Sequence, residues 1–230
     1  MPPLSSPLVS AGITALSAIV AALLAAVLAK ASPPRFRWVA PASIGVWMAA
    51  TWWLAASASL ARFDARPPAL MLLLVTMVTL VVGLGLSKLG GRLARGLPLA
   101  ALIGFQAFRL PLELVMHQAA REGLMPVQMS FAGWNFDIVT GASALVVAWL
   151  ASRDRLPRWG AVAWNALGST LLAVIVTIAV ASTPLFAAFG SAPEALNTWI
   201  AWPPYVWLPS ILVAAALFGH VLLWRRLFGR

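Results

Sequence analysis

Residues 68–87 read PALMLLLVTMVTLVVGLGLS, a run of twenty positions without a charged side chain. A membrane-crossing helix needs about 20 predominantly apolar residues, so this run alone predicts one span. The rest of the chain has the same character: 62% of its 230 residues are hydrophobic, 10% are charged, and the mean hydropathy is +0.91. Because soluble domains carry about 25% charged residues, the composition excludes a soluble protein.

Six further apolar runs surround this one. Breaks at proline, glycine and charged residues place the predicted spans at 8–29, 38–61, 68–87, 97–118, 136–151, 159–183 and 204–224. The first run has basic residues after it and none before it, which indicates an inserted helix rather than a cleaved signal peptide. We therefore expect an all-α fold, with residues 1–230 forming a single domain of seven transmembrane helices.

The basic residues indicate how the chain is oriented. The net charge is +10 and the sequence pI is near 11.9. Twelve Lys and Arg residues fall on one side of the predicted map, three fall on the other, and Arg109 lies inside a span. The positive-inside rule then predicts an external N-terminus and a cytoplasmic C-terminus. This asymmetry explains the high pI without a nucleic-acid partner and leaves the lipid bilayer as the expected partner.

The amino-acid composition indicates the kind of organism that the protein comes from and limits the cofactors that it could bind. Arginine greatly outnumbers lysine and alanine is abundant, which is typical of bacteria with GC-rich genomes, so we expect a multi-pass inner-membrane protein. The absence of cysteine excludes disulfides, iron–sulfur clusters and thiolate metal sites. A seventh span without lysine disfavours retinal. His117 and His220 are predicted near opposite ends of their spans, which disfavours haem, whereas a divalent metal remains open.

The fourth span carries a stripe of polar residues: Gln106, Arg109, Glu113 and His117 are spaced by three, four and four positions. At about 100° per residue these side chains share one face of a helix. Arg109 and Glu113 have the spacing of an ion pair, which would either pin the helix to its neighbours or serve a functional site. Pro111 lies within the stripe and is expected to kink the helix there.

The start of the fifth span adds Asn135 and Asp137. Asn135 suits the cap of that helix, and Asp137 suits its first turn. The connection also brings both residues beside the outer end of span four, so a cluster of Arg109, Glu113, His117 and Asp137 is predicted. His220 is expected either to face Asn165 or to pack against apolar neighbours.

Between spans six and seven, residues 193–202 are predicted to form a short helix in the membrane interface. An outer aromatic belt is expected around it, formed by Trp199, Trp202, Tyr205 and Trp207.

Residues 105–141 contain the pattern FRLPLE, then His117, then PVQM and NFD. This pattern resembles a signature of uncharacterised bacterial polytopic membrane proteins, written FRxPxE, His, PxxM and NFD. The resemblance covers about a sixth of the chain and implies no activity. It singles out Arg109, Glu113, His117, Asn135 and Asp137.

Three functions are compatible with this pattern. The first is a polar pocket open to the outer face that binds or translocates a small polar solute or protons, with Glu113 and His117 exchanging protons. The second is a metal-dependent enzyme acting on a lipid-like substrate, with His117, Glu113 and Asp137 as metal ligands. The third is a membrane sensor or assembly subunit. The sequence makes no prediction of the oligomeric state.

Overall fold

The computed structural model describes residues 6–229, and this part of the chain is helical, without a β-strand. Its nine α-helices, counted within the described range, are α1 (Pro7–Ala31), α2 (Val39–Ala56), α3 (Ala69–Leu86), α4 (Lys88–Gly96), α5 (Leu99–Gly104), α6 (Arg109–Arg121), α7 (Ile138–Ser152), α8 (Arg158–Ala181) and α9 (Ala214–Phe228). Tighter 3-10 turns and one wider helical turn, Leu208–Val213, extend or join them.

Six stretches of the described chain are long and apolar enough to cross a membrane. They are Pro7–Ala31, Pro34–Ala56, Ala69–Leu86, Leu99–Arg121, Arg158–Ala181 and Leu208–Phe228. Each coincides with one of the predicted runs, with ends that differ by a few residues. The chain is therefore a multi-pass membrane protein built from α-helices.

The predicted span at 136–151 corresponds to α7, which has 15 residues. At 1.5 Å per residue this helix is about 22 Å long, against a bilayer core of about 30 Å. It begins at Ile138, with Asp137 at its N-cap, because the preceding residues form turns rather than a further helical turn. A seventh crossing therefore remains a prediction.

Helix α9 organises the packing, because it contacts α3, α4, α5 and α8. Helix α1 contacts α2 and α6, and α7 packs on α5 and α6. The turn that leads into α9 is tied to α2, since the indole nitrogen of Trp47 donates to the carbonyl of Ser210 at 3.0 Å. Helix α6 thus lies between α1 and α7, which places its polar stripe inside the bundle.

The connection between the third and fourth spans contains a helix that the sequence reasoning did not predict. Helix α4 buries Leu93 and Ala94 and exposes its arginines. Ser87 caps its start by accepting the backbone N–H of Gly90 at 3.3 Å. Arg225 of α9 donates to the carbonyls of Gly85 and Ser87, at 2.7 Å each. The side chain of Arg225 therefore closes the end of α3.

The predicted interfacial helix at 193–202 is wrong. This segment forms two 3-10 turns, Pro193–Ala195 and Trp199–Ala201. Trp199 and Tyr205 are buried, with ring centroids 4.9 Å apart. They belong to the protein core rather than to an aromatic belt.

Candidate functional site

The helix that carries the polar stripe is interrupted in its middle. Helix α5 ends at Gly104, a 3-10 turn runs over Phe105–Phe108, and α6 starts at Arg109. Pro111 explains the break, because it has no N–H to donate to the carbonyl of Ala107. The predicted irregularity therefore exists, and it lies directly beside Arg109.

Three of the four stripe residues are buried. Gln106, Arg109 and Glu113 have exposed fractions of 0%, 1% and 2%, whereas His117 is partly exposed. One helix face thus points into the bundle, as the spacing predicts. The partners of these side chains come from other helices.

Arg109 forms an ion pair with Asp137 at the N-cap of α7. Its Nε donates to Asp137 Oδ2 at 2.6 Å, and its Nη2 pairs with Oδ1, so both carboxylate oxygens are engaged. The predicted pairing of Arg109 with Glu113 on the same helix is not formed. An arrangement in which two guanidinium nitrogens meet two carboxylate oxygens is stronger than a single contact.

Close contact between α6 and α7 makes this pair possible. Gly141 lies one turn after Asp137, and a Cβ added there would overlap the backbone nitrogen of Leu110 and lie 2.8 Å from the carbonyl carbon of Arg109. Since Gly141 has no side chain, the backbones of the two helices touch. Asp137 is thereby held at the start of α6.

Asn135 joins the second carboxylate to the same cluster. Its Nδ2 donates to Glu113 Oε2 at 2.7 Å and to the carbonyl of Met129 at 3.0 Å. Its Oδ1 accepts the backbone N–H of Asp137 at 3.0 Å. Asn135 therefore binds both Glu113 and the backbone N–H of Asp137, but the N-cap position predicted for Asn135 is occupied by Asp137.

His220 of α9 completes the cluster from the other side of Arg109. Arg109 Nη1 lies 2.9 Å from His220 Nε2, and His220 Nδ1 lies 2.7 Å from Asn165 Oδ1. Because a guanidinium can only donate, Nε2 must accept and the imidazole carries its proton on Nδ1. Of the two alternatives for His220, the structure shows contact with Asn165 rather than packing against apolar neighbours alone.

The position of His220 beside Arg109 was missed by the sequence reasoning. The position of His220 along its span predicts that it lies near the cytoplasmic end of the bundle. This position did not suggest contact with Arg109, because an arginine side chain is long enough to reach a residue at a different depth. The small residue Gly168 of α8 makes room for the imidazole ring, because a Cβ there would lie 2.6 Å from His220 Cε1. Its spacing of three from Asn165 puts both residues on one face of α8.

We call Glu113, Asn135, Asp137, Arg109, His220 and Asn165 the buried polar network. They come from α6, α7 with the loop before it, α8 and α9, and all six are buried. Gln106 lies beside the network, where its Nε2 donates to the carbonyl of Ala216 at 3.0 Å. The small residue Gly219 leaves space for that amide, since a Cβ at this position would overlap it.

His117 lies outside the network. Its ring stacks on Phe131, with centroids 4.3 Å apart, and its Nδ1 is 3.5 Å from Ser130 Oγ. Within residues 6–229, no three His, Cys, Asp or Glu side chains are grouped closely enough to hold a metal ion. The predicted metal ligands His117, Glu113 and Asp137 therefore do not form such a group here.

The fold and this network define a multi-pass helical membrane protein with charged residues inside its bundle. No protein-family model, curated protein or solved structure matches the chain. Its function therefore has to be inferred from the site itself.

Proposed function

We propose that the protein exchanges protons with the outer face of a bacterial inner membrane and thereby binds or moves protons or a small polar solute. In this proposal the chain has seven spans, an external N-terminus and a cytoplasmic C-terminus. Glu113 is the carboxyl group that gains and loses the proton.

The charge balance of the network carries this proposal. The guanidinium of Arg109 carries a positive charge and is directed to Asp137 and His220. Asp137 neutralises it. Glu113 is equally buried, and its described partner is the neutral amide of Asn135. An ionised Glu113 would leave one uncompensated negative charge in the bundle, at a cost of several kcal/mol.

Proton uptake by Glu113 removes that charge without disturbing the Arg109 pair. Asn135 Nδ2 can donate to either form of the carboxyl group. The network is therefore suited to alternate between a protonated and an ionised Glu113. A cation or water that reaches Glu113 would favour the ionised form.

His117 supports a route from the outer side. It follows Glu113 by four positions on α6, so the two residues lie on one helix face one turn apart. It is partly exposed beside the loop residues Ser130 and Phe131. An imidazole at the surface can pass protons between water and a buried carboxyl group.

Proton flux into liposomes tests the proposal. Purified protein is reconstituted with a trapped pH-sensitive dye, and a potassium gradient with valinomycin imposes an inside-negative potential. The wild type should acidify the lumen faster than empty liposomes, and Glu113→Gln should fall to the empty rate. Asp64→Asn, which changes an exposed carboxylate outside the network, is the matched control and should keep the wild-type rate.

Two results would reject proton movement through the protein with Glu113 as the carrier. A wild-type rate equal to that of empty liposomes would exclude proton movement through the protein. A Glu113→Gln rate equal to the wild-type rate would show that another group carries the proton.

A further inference from the structure

A second polar region lies at the other end of the bundle from His117. A cavity of about 690 Å³ opens between the start of α5, the connection from α7 to α8, and the end of α9. Its charged lining residues are Asp154, Arg158 and Arg226. We call it the basic cavity. Its volume lies within the range of about 300–1,000 Å³ that is usual for ligand sites.

Both arginines of the basic cavity are held by backbone carbonyls. Arg158 Nη2 donates to the carbonyl of Leu227 at 2.6 Å, and Arg226 Nη1 donates to the carbonyl of Arg95 at 3.0 Å. A guanidinium has five N–H donors in a planar fork that matches phosphate oxygens. Because each arginine is positioned through one nitrogen, its remaining donors are available to an anion in the cavity.

The surroundings of the basic cavity place it at the depth of lipid headgroups. Trp159 and Phe228 follow cavity residues directly and are 75% and 58% exposed. Exposed aromatic rings at helix ends are typical of the membrane interface. Leu99 and Leu156 supply an apolar wall beside the arginines. A charged head next to an apolar wall fits an amphiphile better than a fully water-soluble anion.

We propose that the basic cavity binds the phosphate of an anionic membrane phospholipid, with Arg158 and Arg226 holding the phosphate and the leucine wall receiving the first part of the acyl chains. Two arginines against Asp154 give the lining a net positive charge, and Arg153 and Arg155 flank that aspartate on the surface. Basic pockets between helix ends recognise anionic lipid headgroups through this chemistry. Asp154 limits the affinity by repelling the phosphate.

Native mass spectrometry of the detergent-purified protein tests this site. The protein is titrated with phosphatidylglycerol, with phosphatidylcholine, which has the same phosphodiester but no net charge, and with inorganic phosphate. We expect retained adducts with phosphatidylglycerol, weaker ones with phosphatidylcholine, and no competition from phosphate. Equal retention of both lipids, or displacement of the lipid by inorganic phosphate, would overturn the assignment to an anionic lipid.

Three variants locate the binding. Each basic residue near an anionic lipid contributes about fivefold to the affinity. The double variant Arg158→Gln/Arg226→Gln should therefore bind phosphatidylglycerol about 25-fold more weakly. The matched control Arg62→Gln/Arg66→Gln changes two exposed arginines at the opposite end and should bind as the wild type does.

Asp154→Asn should instead bind about fivefold more tightly, because a repulsive charge is removed. Asparagine tolerates the positive φ of 53° at this position. A gain of binding cannot come from misfolding. Unchanged affinity in both the arginine and the Asp154 variants would therefore show that lipid binds elsewhere.

Discussion

Gly141 of α7 lies directly against the backbone nitrogen of Leu110 in α6, with no room for a side chain between them. This contact brings Asp137, one turn earlier on α7, to Arg109 at the start of α6. The charged centre of the bundle therefore depends on a residue that carries no charge.

Gly141→Ala is expected to destabilise the protein by about 1–3 kcal/mol, the usual cost of overpacking. The added methyl group must push α7 away from α6, which also weakens the pair between Asp137 and Arg109. Thermal unfolding in detergent measures the effect. Gly83→Ala is the matched control, because a Cβ there meets open space, and it should stabilise α3 by up to about 1 kcal/mol. The same loss in both variants would contradict this account.

Arg109 and Asp137 should depend on each other. Asp137→Asn leaves a buried guanidinium without its counter-ion, at an expected cost of about 3–5 kcal/mol, and the double variant with Arg109→Gln should recover part of that loss. Denaturant unfolding of the four proteins gives the coupling. The control cycle combines Arg109→Gln with Asp154→Asn. Because Asp154 lies on an exposed connection, the two changes in unfolding free energy should be additive. Additivity in the Asp137 cycle as well would show that the ion pair does not contribute.

The two histidines should respond differently to the same substitution. His220→Phe leaves Arg109 Nη1 and Asn165 Oδ1 without their described partner, so we expect a loss of about 1–3 kcal/mol for each buried group. His117→Phe should change stability little, because His117 is partly exposed and stacks on Phe131. Melting temperatures of both variants provide the comparison. Equal shifts would mean that His220 is only packed, without a bonding role.

Acid stability should depend on Glu122, which lies just after the span that contains α6. The hydroxyl and the backbone N–H of Ser6 donate to its carboxylate and hold the pKa of Glu122 below its ordinary value. The folded pKa is then lower than the unfolded one. The stabilisation is therefore present above the unfolded pKa and is lost as the pH falls through the folded pKa.

Glu122→Gln should accordingly reduce the fall in melting temperature between about pH 7 and about pH 3. Glu194→Gln, an exposed acid on a distant loop, is the matched control and should follow the wild-type curve. Parallel curves for all three proteins would show that the contact with Ser6 is absent in solution.

The orientation can be tested with reporters fused after Arg230. Green fluorescent protein matures in the cytoplasm, whereas alkaline phosphatase is active only outside it. The distribution of twelve basic residues against three predicts a fluorescent fusion and an inactive phosphatase fusion. The reverse result would invert the proposed map and place His117 on the cytoplasmic side.

Six membrane-capable helices were predictable because hydropathy is a local property: any run of about 20 apolar residues hides its backbone polar groups most cheaply as a helix. Helix α4 was not predictable in this way, because its glycines and arginines read as a connection. Its buried face is created by packing against α1, α3 and α9, including the close approach of Gly91 to Arg225 of α9.

In the candidate site, too, one part was predictable from the local sequence and another part depended on packing between helices. The spacing of Gln106, Arg109 and Glu113 by itself determined that they share one helix face, because helical periodicity needs no knowledge of neighbours. Only the tertiary structure decided that Arg109 bonds to Asp137 and His220 rather than to Glu113. A buried charge pairs with whichever group packing brings to it in the best geometry, and that packing depends on contacts between helices far apart in the chain.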